Sequence, residues 1–139
     1  MKIVLDTNVL ISALIRDGKP RHLLSEILRR QELVISREIL EEVAIVAAEE
    51  RIKRYVGRRD IAGFLRDISS AARIVRVRSR FSVVKEDPDD DIILRTAFDG
   101  KARYIVSGDA HLLDMRNFHR IRIIAVEEMM EILAGQPKI

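Results

Sequence analysis

Short apolar runs alternate along the chain with longer segments in which apolar residues recur every three or four positions. The short runs are rich in β-branched residues and lack polar alternation, which is typical of strands buried on both faces of a parallel sheet. The longer segments have the periodicity of amphipathic helices. The predicted strands are 3–5, 33–36, 104–106 and 121–126, and the predicted helices are 7–14, 21–31, 37–47, 58–72, 92–99 and 127–134. This alternation predicts a three-layer α/β/α fold with a central, mainly parallel sheet.

One further segment, 73–81, has a different pattern. Valines alternate in it with Arg76, Arg78 and Arg80. Strict alternation predicts a strand with one basic face, placed near a sheet edge where arginine prevents unwanted pairing. The three arginines are also candidates for binding a nucleic-acid backbone.

Length and composition restrict the class of protein. A chain of 139 residues is sufficient for one domain, predicted to span 1–139, with a core that needs no disulfides. The absence of cysteine excludes a disulfide framework and a thiolate metal site. No apolar run reaches the length of a membrane span and no targeting segment precedes the first strand, so a cytoplasmic protein is expected.

Charge is nearly balanced in number but uneven in position. The 25 basic and 22 acidic residues give a net charge of +3. Many acidic residues form blocks, whereas arginines are spread through the middle and the end of the chain. This separation suits a protein that has an acidic pocket and meets a polyanion around it. Ordinary solvated helix faces explain any single block equally well.

Four acidic residues are predicted to converge. Asp6 and Asp109 directly follow predicted strands, and the carboxyl ends of parallel strands share one edge of a sheet, where ligands bind. Asp90 opens a helix that leaves the same edge. Glu42 lies about 9 Å along another such helix and leans toward its apolar stripe, while Glu41 points away. Taken singly, Asp6 is better explained as a helix cap and the acidic block 87–91 as a helix start.

A cluster of carboxylates requires a cation. Two carboxylates 5 Å apart repel by about 3 kcal/mol at an effective dielectric constant near 20. Oxygen ligands without cysteine select a hard divalent ion, Mg²⁺ or Mn²⁺, which can activate water for phosphodiester cleavage. Thr7, Asn8 and Ser107 are candidates to hydrogen-bond water on the metal or a phosphate.

With these positions in view, the chain resembles the PIN-domain nucleases from about Lys2 to Leu133. The matching segments are Ile-Val-Leu-Asp-Thr-Asn-Val-Leu at 3–10, Ser-Arg-Glu-Ile-Leu-Glu-Glu-Val at 36–43, Asp-Pro-Asp-Asp-Asp at 87–91 and Tyr-Ile-Val-Ser-Gly-Asp at 104–109. The resemblance implies a catalytic metal site made of Asp6, Glu42, Asp90 and Asp109. Asp90 is chosen because it precedes Ala97 by seven residues, and Asp91 is the neighbouring alternative.

The resemblance is strongest to the VapC-like toxin branch of that family. It implies a metal-dependent endoribonuclease that cleaves single-stranded RNA, acts as a homodimer and is inhibited by a small protein antitoxin. Ser107 stands where many members have threonine, which keeps the hydroxyl.

Two alternatives remain open from the sequence. The segment 108–114, Gly-Asp-Ala-His-Leu-Leu-Asp, also fits a metal-binding pattern of haloacid-dehalogenase-like phosphatases, with Asp6 as nucleophile. However, Asn8 occupies the position of their second aspartate and there is no room for a cap domain. The other alternative is a non-catalytic PIN-like module that binds RNA or protein, although such a module would be expected to lose acidic ligands.

Overall fold

Strands and helices alternate through the computed structural model, which describes residues 1–84 and 87–136. The strands are β1 (Lys2–Leu5), β2 (Glu32–Ser36), β3 (Arg73–Val75), β4 (Tyr104–Val106), β5 (Asn117–Phe118) and β6 (Ile121–Ile124). The helices are α1 (Thr7–Ile15), α2 (Lys19–Arg30), α3 (Arg37–Ala47), α4 (Glu50–Lys53), α5 (Arg58–Ala71), α6 (Pro88–Asp99), α7 (Ala110–Met115) and α8 (Val126–Ala134).

The six strands form one sheet in the order β3-β2-β1-β4-β6-β5. All neighbours pair in parallel except β5, which forms an antiparallel hairpin with β6 at one edge. Helices cover the sheet, which gives three α/β/α layers. The predicted fold class and the mainly parallel sheet are therefore confirmed.

The core lies around the central strand β1. Ile3, Val4 and Leu5 are at most 1% exposed, as expected of a strand covered on both faces. Helix α6 packs across β1, β2 and β4. Because β1 and β4 are adjacent and parallel, the residues that follow them emerge side by side at one edge of the sheet. That edge carries the site described below.

Gly100 allows the end of α6 to approach the sheet closely. A Cβ atom at this position would lie 2.5 Å from Val34 Cγ1, 2.9 Å from the Thr96 carbonyl oxygen and 3.0 Å from Val75 Cγ2. Its φ is −84°, so the requirement is for space rather than for a left-handed backbone. The helix predicted over 92–99 ends just before Gly100, and the structure gives a packing reason for a glycine at that boundary.

The predicted strand 73–81 is wrong beyond Val75. β2 ends at Ser36, which pairs with Val75, and the chain then turns into α3, so within the described ranges no strand pairs with residues 76–81. Side chains satisfy the backbone instead, since Asp99 accepts hydrogen bonds from the amides of Arg78 and Ser79. The edge position is correct, because β3 is the outermost strand.

Three short elements had no prediction from the sequence, namely α4, α7 and β5. Each has six residues or fewer, too few for hydrophobic periodicity to be read. In the part of the chain that the structure describes, we find no helix with both the length and the apolar character needed to cross a bilayer.

Candidate functional site

Asp6 and Asp109 meet at the carboxyl ends of β1 and β4. The Asp6 amide donates to the Val106 carbonyl oxygen at 2.9 Å, which extends the ladder between the two strands. The fully buried Ser107 links the two aspartates. Its Oγ donates to Asp6 Oδ2 at 2.7 Å and accepts from the Asp109 amide at 2.9 Å. The Asp109 carboxylate also caps α7 by accepting from the His111 amide at 2.9 Å. Ser107 thus orients one aspartate directly and the other through its backbone.

The carboxylates of Asp87, Asp90 and Asp109 converge on one point. One oxygen from each lies within 4.8 Å of the others. Asp87 caps α6 by accepting from the Asp89 amide at 3.0 Å, and Asp90 lies in the first turn of that helix. Asp90 is only 5% exposed, and its Oδ2 is buried without a hydrogen-bond partner in the described structure. A buried oxygen of this kind is costly unless a cation or a proton occupies its lone pairs.

The pKa values reflect this crowding. Burial, then the contact with Asp109 and the charge of Asp87, raise the pKa of Asp90 to about 8. Burial also raises the pKa of Asp6, although the hydrogen bond from Ser107 opposes the rise. For Glu42, burial and the charges of Asp89 and Asp87 raise the pKa. Without a cation, these three groups keep their protons to a higher pH than an exposed carboxyl does.

These groups line a cavity of about 260 Å³. Eight acidic side chains border it and, among the described residues, no lysine or arginine does: Asp6, Glu38, Glu41, Glu42, Asp87, Asp89, Asp90 and Asp109. Thr7 and Asn8 also line it. The donor set consists of carboxylate, hydroxyl and amide oxygens, which suits a hard divalent ion. The partnerless oxygen of Asp90 marks a position where such an ion fits.

The structure brings all four predicted site residues, Asp6, Glu42, Asp90 and Asp109, to this one cavity. Sequence reasoning missed Asp87 as a member of the cluster and took it only as part of a helix start. A signal was present, because Asp87 precedes Asp90 by three residues and therefore lies beside it across the first turn. Glu41 borders the cavity too, which was not expected, although it is exposed and Glu42 is half-buried, as their places on α3 predicted.

Asp91, the alternative to Asp90, faces elsewhere. Its Oδ1 accepts from the amides of Val83 and Val84 at 2.8 and 3.0 Å, and its Oδ2 from Ser82 Oγ at 3.3 Å. Burial alone would raise the pKa of Asp91, but these hydrogen bonds hold it below its usual value. Asp91 therefore fastens the segment before α6 and does not line the cavity.

A basic groove continues from the acidic cavity. It has a volume of about 500 Å³ and is lined by Arg76, Arg78, Arg80 and Arg95 among others. Glu38 and Ile92 border both depressions, so the two share a wall. The three predicted RNA-contacting arginines are thus exposed beside the acidic site, although they do not lie on a strand.

The fold and the cavity define a class of protein, an α/β/α domain with a carboxylate cluster at the carboxyl ends of its parallel strands. A family model described as the PIN domain matches residues 2–111, and the chain belongs to the PIN domain family. The resemblance drawn from the sequence is confirmed. The chain is also 32% identical over 121 residues to the uncharacterized protein MJ1680 of Methanocaldococcus jannaschii, covering 84% of this chain and 76% of that protein.

Two solved structures are similar in fold. PAE2754 from Pyrobaculum aerophilum superposes with a TM-score of 0.68 at 17% identity, covering 98% of this chain and 91% of that one. VapBC2 from Rickettsia felis, solved with a DNA fragment from its promoter, gives a TM-score of 0.61 at 13% identity, covering 90% of this chain and 98% of that one. At these identities the similarity shows the fold.

Membership of the PIN family sets aside the phosphatase alternative. That alternative required Asp114 as a metal ligand together with Asp109. In the structure Asp114 is exposed on α7 and does not border the acidic cavity.

Proposed function

We propose that this protein is a metal-dependent endoribonuclease that hydrolyses phosphodiester bonds of single-stranded RNA at the acidic cavity. The buried, partnerless Oδ2 of Asp90 is the observation that carries the proposal, because it calls for a cation among the converging carboxylates. Asp90 and Asp109 would hold Mg²⁺ or Mn²⁺, together with Asp87 from the geometry and with Asp6 and Glu42 from the family resemblance. Bound there, the ion supplies an activated water and neutralises charge on the phosphate.

The chain's own residues account for the remaining requirements. Ser107 hydrogen-bonds to both Asp6 and Asp109 and so fixes their relative position, which orders these two acidic residues before an ion binds. Thr7 and Asn8 border the cavity and offer hydrogen-bond donors to phosphate oxygens. The adjoining arginine groove would hold the RNA backbone by charge, independently of sequence.

Cleavage of mixed single-stranded RNAs tests the proposal directly. Wild type and Asp6→Asn are compared with Mg²⁺, Mn²⁺ or EDTA, and a chromogenic phosphatase substrate is run in parallel. Asp114→Asn is the matched control, since it makes the same change at an exposed carboxylate outside the cavity. We expect metal-dependent fragments from wild type and Asp114→Asn and none from Asp6→Asn.

Other outcomes decide against the proposal. Full activity of Asp6→Asn would show that the site is wrong. Turnover of the phosphatase substrate without RNA cleavage would support the phosphatase alternative. No activity of the wild type on either substrate would favour a binding module. Metal binding is checked separately by thermal denaturation, since Mn²⁺ should raise the melting temperature of wild type and not that of Asp90→Asn.

The toxin role, the homodimer and the small protein inhibitor belong to the same proposal. They rest on the resemblance to VapC-like proteins and on the similarity in fold to VapBC2. Arrest of bacterial growth by wild type, and none by Asp6→Asn at equal expression, is the expected result for a toxin. Light scattering of the purified protein measures whether it is a dimer.

A further inference from the structure

Three of the four phenylalanines gather with a histidine at one surface site, which we call the aromatic cluster: Phe81, Phe98, Phe118 and His119. The Phe81 ring centroid lies 5.7 Å from that of Phe98 and 5.0 Å from that of Phe118. The His119 ring lies 5.1 Å from Phe98 and 4.6 Å from Phe118. Phe81 and Phe118 pack against the core, whereas Phe98 is 43% exposed and His119 is exposed. The core therefore holds the rings of Phe81 and Phe118 in place, whereas the rings of Phe98 and His119 are exposed to solvent.

One ridge of α6 joins the aromatic cluster to the proposed catalytic cavity. Ile92, Arg95 and Phe98 follow each other at intervals of three residues and so form one row on the helix surface. Ile92 borders both the acidic cavity and the basic groove, and Arg95 lines the groove. Six residues of helix span about 9 Å, which is about three nucleotides of a stacked strand at about 3.4 Å each.

Arg95 couples the groove to the rings. Its Nε donates to the Phe81 carbonyl oxygen at 2.8 Å, and its guanidinium carbon lies 5.9 Å from the centroid of the Phe81 ring. The guanidinium is thus held at the border between the basic groove and the aromatic cluster. Proteins that bind single-stranded nucleic acids use a cation beside an aromatic face. The cation binds the phosphate, and the base stacks on the aromatic ring.

The hairpin that presents His119 is conformationally demanding. His119 follows β5 in the two-residue turn before β6, with a φ of 55°, a region that favours glycine. A side chain as large as histidine costs free energy there, and glycine would relieve it. The turn presents an exposed imidazole edge-on to Phe118, with an interplanar angle of 84°.

We propose that the aromatic cluster is a base-stacking subsite for single-stranded RNA whose scissile phosphate lies in the acidic cavity. This inference rests on the proposed function. RNA is favoured as the occupant because the Arg95 guanidinium lies against the Phe81 ring and exposed arginines adjoin the cluster along the chain, Arg80 before Phe81 and Arg120 after His119. Phosphates next to a stacked base would meet this positive charge, and the stacking itself needs no particular base.

Binding of fluorescently labelled RNA tests the subsite without requiring cleavage. Anisotropy is measured in the Asp6→Asn background for a dinucleotide and a dodecanucleotide. Phe98→Leu removes the open ring and keeps an apolar side chain, so affinity for the dodecanucleotide should fall by about 5- to 150-fold, the value of one stacked base. Affinity for the dinucleotide, which is too short to occupy cavity and cluster together, should change little.

Two further variants separate stacking from folding. Phe98→Tyr keeps the ring and should retain the affinity of the parent. Phe64→Leu is the matched control, since it makes the same change at the fourth phenylalanine, which is half-buried on α5 and outside the cluster. Circular dichroism checks that all variants are folded.

Several results would overturn the subsite. Equal affinity of Phe98→Leu and its parent for the dodecanucleotide would do so, as would equal losses for both RNA lengths or for Phe64→Leu. A change in oligomeric state of Phe98→Leu by light scattering, with RNA affinity unchanged, would instead make the cluster a contact between copies. Failure of the proposed function is distinct, because wild type would then cleave no RNA.

Discussion

The Thr96 hydroxyl donates a hydrogen bond of 2.8 Å to Ser36 Oγ, and both side chains are fully buried. Ser36 Oγ also accepts from the Ile39 amide at 3.3 Å and so caps α3. Thr96 belongs to α6, which carries Asp87 and Asp90, while α3 carries Glu42. This hydroxyl pair therefore fixes the relative position of the two helices that supply acidic side chains to the cavity.

A double-mutant cycle on this pair measures the coupling. We expect Thr96→Val to lower the free energy of unfolding by about 1–3 kcal/mol, because it leaves a buried polar partner with one hydrogen bond fewer. Ser36→Ala removes the same bond and the helix cap. The double variant should lose less than the sum of the single variants by about 0.5–3 kcal/mol, measured by urea denaturation. Strict additivity would show that the two hydroxyls stabilise the fold independently.

Much of the site could be predicted from the sequence, and the reason is topological. Apolar runs identify parallel strands, and the residue after each strand must lie at one edge of the sheet, which places Asp6 and Asp109 together. The intervals along α3 and α6 then place Glu42 and Asp90. Except for the choice of Asp90 over Asp91, which came from the family resemblance, these inferences need only local periodicity and connectivity, and the structure shows all four residues around one cavity.

The features that could not be predicted from the sequence depend on side-chain contacts that periodicity does not show. Residues 76–81 have the alternation of a strand, yet Asp99 binds the amides of Arg78 and Ser79 in place of a neighbouring strand, and Asp91 binds the amides of Val83 and Val84 just beyond them. Asp87 joins the cluster through the local geometry of a helix cap. The aromatic cluster brings together residues from a loop, a helix and a hairpin, and periodicity carries no information about such an encounter.

Neighbouring aspartates on α6 should respond in opposite ways to the same substitution. Asp91→Asn weakens the hydrogen bonds to the Val83 and Val84 amides, so we expect a loss of about 1–3 kcal/mol in the free energy of unfolding and retention of metal binding. Asp90→Asn removes a crowded carboxylate, so we expect no loss of stability in EDTA and a loss of metal binding. Chemical denaturation and calorimetric titration with Mn²⁺ measure the two properties.

The comparison also decides between the two residues as ligands. Loss of Mn²⁺ binding in Asp91→Asn, with the protein still folded, would assign Asp91 to the site and contradict its place beside residues 82–84. Hydrogen exchange supplies an independent readout, because the amides of Val83 and Val84 should exchange faster in Asp91→Asn and not in Asp90→Asn.

Gly100 should tolerate no side chain. Gly100→Ala would place a methyl group 2.5 Å from Val34 Cγ1 and 3.0 Å from Val75 Cγ2, so either the end of α6 or the edge of the sheet must shift. We expect a loss of about 1–3 kcal/mol, the usual range for an overpacked site. Gly18→Ala is the control, since its Cβ would meet no atom within 4 Å. Equal midpoints of the two variants in urea would contradict the close contact.

The raised pKa of Asp90 predicts how the stability of the protein in EDTA depends on pH. Its pKa is about 8 in the folded protein against an ordinary value of 3.8, so between these values the folded state holds a proton that the unfolded chain has released. Rising pH therefore lowers the free energy of unfolding across this interval, and the contribution becomes constant above it. Asp90→Asn removes the ionisable group, so its stability should fall less steeply than that of wild type between pH 5 and 8.

Urea denaturation of wild type and Asp90→Asn in EDTA at several pH values measures the difference, with Asp114→Asn as the control that keeps the wild-type slope. Saturating Mn²⁺ should reduce the slope of wild type, because the folded protein then holds Asp90 as a carboxylate. Parallel profiles of wild type and Asp90→Asn in EDTA would mean that Asp90 is ionised throughout this range. The carboxylates would then be less crowded than their convergence within 4.8 Å implies.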